Sequence, residues 1–328
     1  MRRALALAAR GRYSVSPNPM VGCLLVRDGT VIAEGWHRRA GEPHAEIEAL
    51  RNVDDARGAT MIVTLEPCAH HGRTPPCVDA IIAAGVSRVV IAMRDPHPVA
   101  AGGIEKLREA GIDVVTGVLE DEARKLNEIF IHAVTHRRPF VLLKAGMTLD
   151  GKLATVTGES KWITSEASRQ KSLELREEHD AIVAGGGTVR IDNPHLTRRL
   201  GWSTTRWTRV ILDRARIVPP DANVLTDGGA TIHIVDDVDL DALLADLYER
   251  GIHSVIVEGG SAILSEFIRR GLWQKMILFA APMFVGGADA PSIFGGKGVA
   301  KLADAHRFRF ERVEVAGGDV MVTAYSLS

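Results

Sequence analysis

Only three cysteines occur in 328 residues, an odd count that forms no disulfide framework and fits a reducing compartment where thiols stay free. Net charge is as scarce. The 40 Lys and Arg against 41 Asp and Glu leave −1, so no global field draws the chain to nucleic acid or an anionic membrane. Aromatic residues make up 5%, and no Lys/Arg stripe interleaves with them, which argues against a single-strand binding groove. Long apolar runs are also missing: RVVIAM and FVLLKAGM are strand-sized and cannot span a bilayer. The run Ala4 to Ala9 is too short for an export signal and is cut off by Arg10 and Arg12. These absences predict a soluble cytoplasmic protein acting on a small molecule, with no nucleic-acid and no membrane partner.

The chain's length predicts two domains. Val/Ile-rich runs (VGCLLV, TMIVTL, RVVIAM) alternate with the helical patterns HAEIEALRN, PCVDAIIAAG and GIEKLREAG, the alternation of an α/β fold with a largely parallel sheet. Asp28-Gly29 between two apolar runs is a hairpin signal, so the first sheet is expected to be mixed. A helix from about Glu120 to His136 is expected to end before Pro139. That places the boundary between domains 1–139 and 140–328. The α/β alternation then restarts, with a helix near Glu166 to Glu178, and the tail around Gly317-Gly318 is expected to close as a hairpin.

His44, Cys68 and Cys77 supply the three protein ligands of a catalytic zinc site, which keeps a fourth position open. Glu46, two residues after the histidine, need not be a ligand. In zinc deaminases an H-x-E glutamate moves protons between water, base and leaving amine. Residues two apart on a regular helix face apart, so both side chains can serve one site only if His44 begins its helix. Pro75 and Pro76 likewise place Cys77 at a helix start. Cys23, inside VGCLLV, reads as a small core hydrophobe. Eight residues separate Cys68 from Cys77 where zinc deaminases usually have two, and His70 and His71 within them are rival ligands.

The second half has no G-x-G-x-x-G opening a strand–helix unit, which disfavours a Rossmann site. SVIVEGGSAILSEFI nevertheless sends a strand into a helix across Gly259 and Gly260, a junction suited to phosphate.

EPCAHHGRTPPC resembles the signature of the bifunctional riboflavin biosynthesis deaminase/reductase family. SPNPMVGCLLV, HAEIEAL and DPHP resemble its deaminase domain; LLKAGMTLDGKLA, GESKWITS, GTVRIDNPHLTRR and VEGG resemble its reductase domain, in order along nearly the whole chain. The resemblance implies a cytidine-deaminase-like α/β/α first domain with a mixed sheet and a dihydrofolate-reductase-like α/β second domain, with Zn2+ and NADPH as cofactors. It implies that 2,5-diamino-6-ribosylamino-4(3H)-pyrimidinone 5′-phosphate loses its C2 amino group and that its ribosyl chain is then reduced. By the same likeness His44, Cys68 and Cys77 hold zinc, Glu46 carries protons and Asn18 faces substrate. Ser160, Arg176, Leu196, Arg199 and Glu258 match substrate contacts. Gly146, Trp162, Thr188, Asp192, Gly259 and Gly260 match cofactor contacts. Two departures, Glu48 and His97, are expected to border the base pocket. A homo-oligomer, a dimer through the second domain, is expected from exposed sheet edges.

Two other classes compete. A nucleic-acid base deaminase is disfavoured by charge, and a structural zinc module would need a fourth protein ligand. Outside the resemblance, Trp162 reads as core, Arg176 as a helical ion pair with Asp180, and Asp192-Asn193-Pro194 as a plain turn. Lys144 and Asp150 are the candidate proton donors for the reduction.

Overall fold

A computed structural model describes residues 1–70, 75–97 and 101–327. His71 and residues 98–100 lie outside them. The chain separates into two compact units, Met1–Arg138 and Pro139–Ser328.

In the first unit the elements run α1 (Arg2–Ala8), β1 (Gly22–Arg27), β2 (Thr30–Trp36), α2 (Ala45–Arg51), β3 (Thr60–Leu65), α3 (Cys77–Ala83), β4 (Arg88–Met93), α4 (Gly103–Glu109), β5 (Asp113–Val115), α5 (Glu120–Leu126) and α6 (Glu128–His136). The sheet order is β2-β1-β3-β4-β5. Strand β1 is antiparallel to both β2 and β3, while β3, β4 and β5 are parallel, so the sheet is mixed. Asp28 and Gly29 turn the hairpin with φ of 51° and 76°, the positive values a two-residue primed turn requires. Met61, Val63, Val89 and Ile91 bury one face. On the other, α1 packs Ala4 and Leu7 against Leu24, so the N-terminal apolar run is a sheet-covering helix.

The helix expected over Glu120 to His136 is two. Asn127 ends α5 and precedes α6 with non-helical backbone. Its buried carboxamide accepts from Met20 N at 2.7 Å and donates to Met20 O at 3.0 Å. The break thus serves a partner 107 residues away.

Gly35 sets how closely α2 lies on β2. A Cβ there would stand 2.3 Å from Ala45 O and 2.4 Å from Ala49 N. Gly35→Ala is therefore expected to cost about 1–3 kcal/mol by overpacking, read as a lower urea midpoint, and to weaken zinc retention because the displaced helix start carries His44.

The second unit runs β6 (Phe140–Thr148), α7 (Glu166–Glu177), β7 (Ala181–Gly185), α8 (Gly186–Asp192), β8 (Thr208–Leu212), α9 (Asn223–Thr226), β9 (Thr231–Ile234), α10 (Leu240–Glu249), β10 (Ser254–Glu258), α11 (Ser261–Arg269), β11 (Lys275–Ala281), β12 (Phe308–Ala316) and β13 (Asp319–Ser326). Its sheet order is β12-β13-β11-β6-β10-β7-β8-β9. Six neighbours from β11 to β9 are parallel, and the β12–β13 hairpin adds antiparallel strands. In β10, Val255 and Val257 bury into one core while Ile256 buries into the other. Cover on both faces explains why these strands read as unbroken apolar runs. Asp192, expected to open a plain turn with Asn193 and Pro194, is the last residue of the helix α8, and Asn193 caps it.

Candidate active sites

In the first unit β3 and two helix starts bring the metal donors together. His44 is the N-cap of α2 with extended backbone, and Cys77 opens α3 after Pro76. His44 Nδ1 lies 3.2 Å from Cys77 Sγ and 3.6 Å from Cys68 Sγ, and all three donor atoms fall within 4.8 Å of one another. The Cys77 backbone N–H donates to Cys68 Sγ at 3.4 Å. A hydrogen bond from the Cys77 thiol holds the Cys68 thiol down to about 4, favouring the thiolate that metal needs. One imidazole and two sulfurs with helix starts behind them fit zinc. Among the described residues no fourth side chain joins the group. His70 lines the adjacent cavity but stands outside it, and His71 lies outside the described residues.

The adjoining cavity, about 440 Å³, is lined by Asn18, His37, His44, Glu46, Cys68, His70, Asp95, His97 and their neighbours. Glu46 is 3% exposed in the first turn of α2, and burial pushes its carboxyl up to about 7. Asp95 is pushed up to about 6, again chiefly by burial. Glu66, which the sequence did not single out, accepts from the backbone N–H groups of Asp95, Gly102 and Ile104, tying the end of β4 to the start of α4. Its signal was present: an acidic residue directly after a strand is an uncommon core residue unless paired. His97 lines the cavity as expected. Glu48 does not; it pairs with Arg38 and Arg51, and its Cβ lies against Gly35.

In the second unit the matched residues gather around the C-terminal ends of β6, β7 and β10, where open α/β sheets bind ligands. Glu258, at the end of β10, takes a two-point ion pair from Arg176 at 2.8 and 3.0 Å, and Lys144 Nζ approaches at 3.0 Å. Burial opposes ionisation of this carboxyl. The charges of Arg176 and Lys144 overcome it and hold Glu258 well below the usual carboxylate range. Arg176 also donates to Thr197 O, so it is not the partner of Asp180. Asp180 instead accepts from the backbone of His253 and Ser254. Leu196 has its side chain in the core and its carbonyl bonded to Trp207 Nε1. Arg199 is exposed.

Trp162, expected as a core residue outside the resemblance, is 69% exposed beneath the Arg169 guanidinium. Its neighbour Lys161 reaches Asp192 at 3.3 Å, joining the Ser160 segment to α8. A Cβ on Gly146 would meet Thr164 at 2.9 Å, so this segment lies directly on β6. Thr188 Oγ1 lies 3.7 Å from where a Gly259 Cβ would stand, whereas Cβ atoms at Gly185, Gly187 and Gly260 would meet open space. At the start of α11 the Ser261 hydroxyl is buried without a partner. Bare glycine junctions and an unused hydroxyl at a helix N-terminus fit the phosphates of a dinucleotide. Asp150 is held down to about 2 by the Thr148 hydroxyl and by the N–H groups of Gly286 and Val285, and is no proton donor near neutrality.

Comparison with known proteins covers both units. Residues 1–93 match the cytidine and deoxycytidylate deaminase zinc-binding region, and residues 139–322 match the RibD C-terminal domain. The riboflavin biosynthesis protein RibD of Bacillus amyloliquefaciens is 41% identical, with 99% of this chain and 95% of that protein covered. The RibD of Escherichia coli K12 is 40% identical, with 98% and 96% covered. Among solved structures, a diaminohydroxyphosphoribosylaminopyrimidine deaminase/5-amino-6-(5-phosphoribosylamino)uracil reductase from Thermotoga maritima aligns with a TM-score of 0.92 at 41% identity over 99% of this chain and 97% of that one. Acinetobacter baumannii RibD aligns at 0.90 and 36% identity over 100% and 98%. With a three-donor candidate metal site in one unit, bare glycine junctions beside a buried ion pair in the other and such relatives along its whole length, the chain belongs to the RibD family of bifunctional deaminase/reductases of riboflavin biosynthesis.

Proposed function

We propose that residues 1–139 deaminate 2,5-diamino-6-ribosylamino-4(3H)-pyrimidinone 5′-phosphate and that residues 140–328 reduce the ribosyl chain of the product, giving 5-amino-6-(5-phosphoribitylamino)uracil. The convergence of His44, Cys68 and Cys77 beside buried Glu46 carries the first half. Zinc, when held by those three residues, supplies an electrophilic centre that acidifies water. Glu46 takes one proton of the attacking water and passes it to the ring nitrogen next to the reacting carbon, then takes the proton of the hydroxyl now bonded to that carbon and delivers it to the amine, which leaves as ammonia as the carbonyl forms. Asn18 and Asp95 line the cavity beside it and orient the base.

In the second half, NADPH supplies hydride. Gly259, Gly260 and Thr188 receive its phosphates, and Gly146, Trp162 and Asp192 border the rest of its cleft. Glu258, Ser160, Leu196 through its backbone, and Arg199 hold the substrate, with exposed Arg199 suited to its phosphate because the guanidinium fork binds phosphate at two points, while Arg176, whose fork is committed to Glu258 and Thr197 O, borders the substrate by holding Glu258 in place. Lys144, beside Glu258, is the proton donor. We place the protein in the cytoplasm as a dimer through the second unit. Its outer strand β12 is an unpaired sheet edge exposing Phe310, Val313 and Val315, a surface another copy can cover.

Ammonia release and NADPH absorbance followed together on the diaminopyrimidine substrate test this reading. Ammonia is expected to appear before NADPH is consumed. If the zinc-loaded chain gives neither signal, the assignment fails.

A further inference from the structure

Most polar groups around the deaminase cavity have their hydrogen bonds already committed. The Glu66 oxygens are spent on backbone N–H groups, and Asn127 grips Met20 through both its N–H and its carbonyl, fixing the turn that carries Asn18. Among the described residues the Asn18 side chain has one hydrogen-bond partner: its Nδ2 lies 3.0 Å from His37 Nε2. Which atom donates there follows from the other side of the ring. His37 Nδ1 lies 3.0 Å from Pro43 O, and a carbonyl oxygen only accepts, so Nδ1 carries the hydrogen. The ring is 2% exposed, and the Asn18 nitrogen that faces Nε2 can only donate, so Nε2 is the acceptor of this pair. Asn18 has to offer it N–H. Its carbonyl Oδ1, on the opposite branch of the carboxamide, is left for the cavity that both residues line.

We infer that His37 locks the Asn18 carboxamide with its carbonyl toward the substrate, making that wall an acceptor that selects bases presenting an N–H or amino donor at the facing edge. The inference rests on reading this cavity as the deaminase site. The diaminopyrimidine carries such donors in its amino groups and ring N–H. A base offering only a carbonyl or a bare ring nitrogen there would set acceptor against acceptor, an arrangement that rejects more strongly than a missing contact. His37 acts through Asn18 and is a positioning residue.

The tautomer can be read without turnover. In the zinc-loaded full chain labelled with 15N at histidine, NMR is expected to show His37 protonated at Nδ1 and bare at Nε2, with the signals assigned by their loss in His37→Phe. In kinetics, His37→Phe is expected to keep its zinc and to raise KM for the diaminopyrimidine about tenfold, the scale of one hydrogen bond, with kcat within about threefold. His37→Gln, whose amide oxygen can take the place of Nε2, is expected to recover most of that KM. An Nε2-protonated ring in the native chain, or a native KM in zinc-loaded His37→Phe, overturns the inference. If the native chain does not deaminate the diaminopyrimidine, the functional reading fails, and the tautomer alone then decides how Asn18 is held.

Discussion

Glu46→Gln is expected to keep its zinc and to release ammonia about a hundred- to ten-thousand-fold more slowly than the native chain, the usual weight of a positioned proton carrier. Glutamine keeps the shape of the side chain but cannot take up and return a proton. Its position in the first turn of α2, 3% exposed, leaves little room for a solvent water to substitute. His44, Cys68 and Cys77 are untouched, so bound metal stays at one equivalent. The reductase half reports independently: supplied with the deaminated intermediate, the variant consumes NADPH at the native rate, because no residue of that site is altered. Ammonia release at the native rate would remove Glu46 from the mechanism, and loss of zinc would make its role structural.

Glu258→Leu has the largest expected effect on stability. The native carboxylate faces two cations whose side chains are only 13% and 15% exposed. Removing it leaves Arg176 and Lys144 side by side without a counter-charge, and breaking a buried pair in this way costs about 3–5 kcal/mol. Urea unfolding of the second unit would read that loss, and reduction would stop with it. Arg176→Met added to Glu258→Leu removes one stranded charge and is expected to recover part of the stability but none of the reduction, separating packing from function. The pair also sets a pH dependence. Because the folded pKa of Glu258 lies below its ordinary 4.5, its contribution is fully present above about pH 5 and drains away as the pH falls through 4.5 toward the depressed folded value. A second-unit stability that stays flat between pH 6 and 3 would contradict the pairing.

The parts of this architecture that read plainly from sequence are those with local causes. Asp28-Gly29 needs positive φ wherever it sits, Pro139 ends a helix by its own chemistry, and Gly317-Gly318 turns the last hairpin. The three metal donors were legible because so few side chains bind zinc and because Pro75 and Pro76 mark the helix start at Cys77. What did not read plainly was decided by distant partners. The break at Asn127 answers Met20. Arg176 looked like half of a helical pair with Asp180, yet Glu258, 82 residues on, claims it. The short helix α8 was hidden by glycines that lower helix propensity; Gly186 is required by packing, since a Cβ there would stand 2.4 Å from Asp213 Oδ1. Glu48 was placed by a motif position, whereas its side chain turns outward to two arginines.

The placement of β6 has a consequence for how the protein is made. It is the first strand of its unit, yet its neighbours in the sheet are β10 and β11; Lys144 and its partner Glu258 are 114 residues apart. At ribosomal speeds of about 5–20 residues per second, β6 waits on the order of ten seconds for both edges to be covered. The first unit, complete by Arg138, can fold meanwhile. The apolar run FVLLKAGM is thus the stretch of nascent chain with the longest exposure before pairing. Parallel pairings across such separations are also the slow ones in refolding. The reductase half is therefore expected to be the slower of the two to refold.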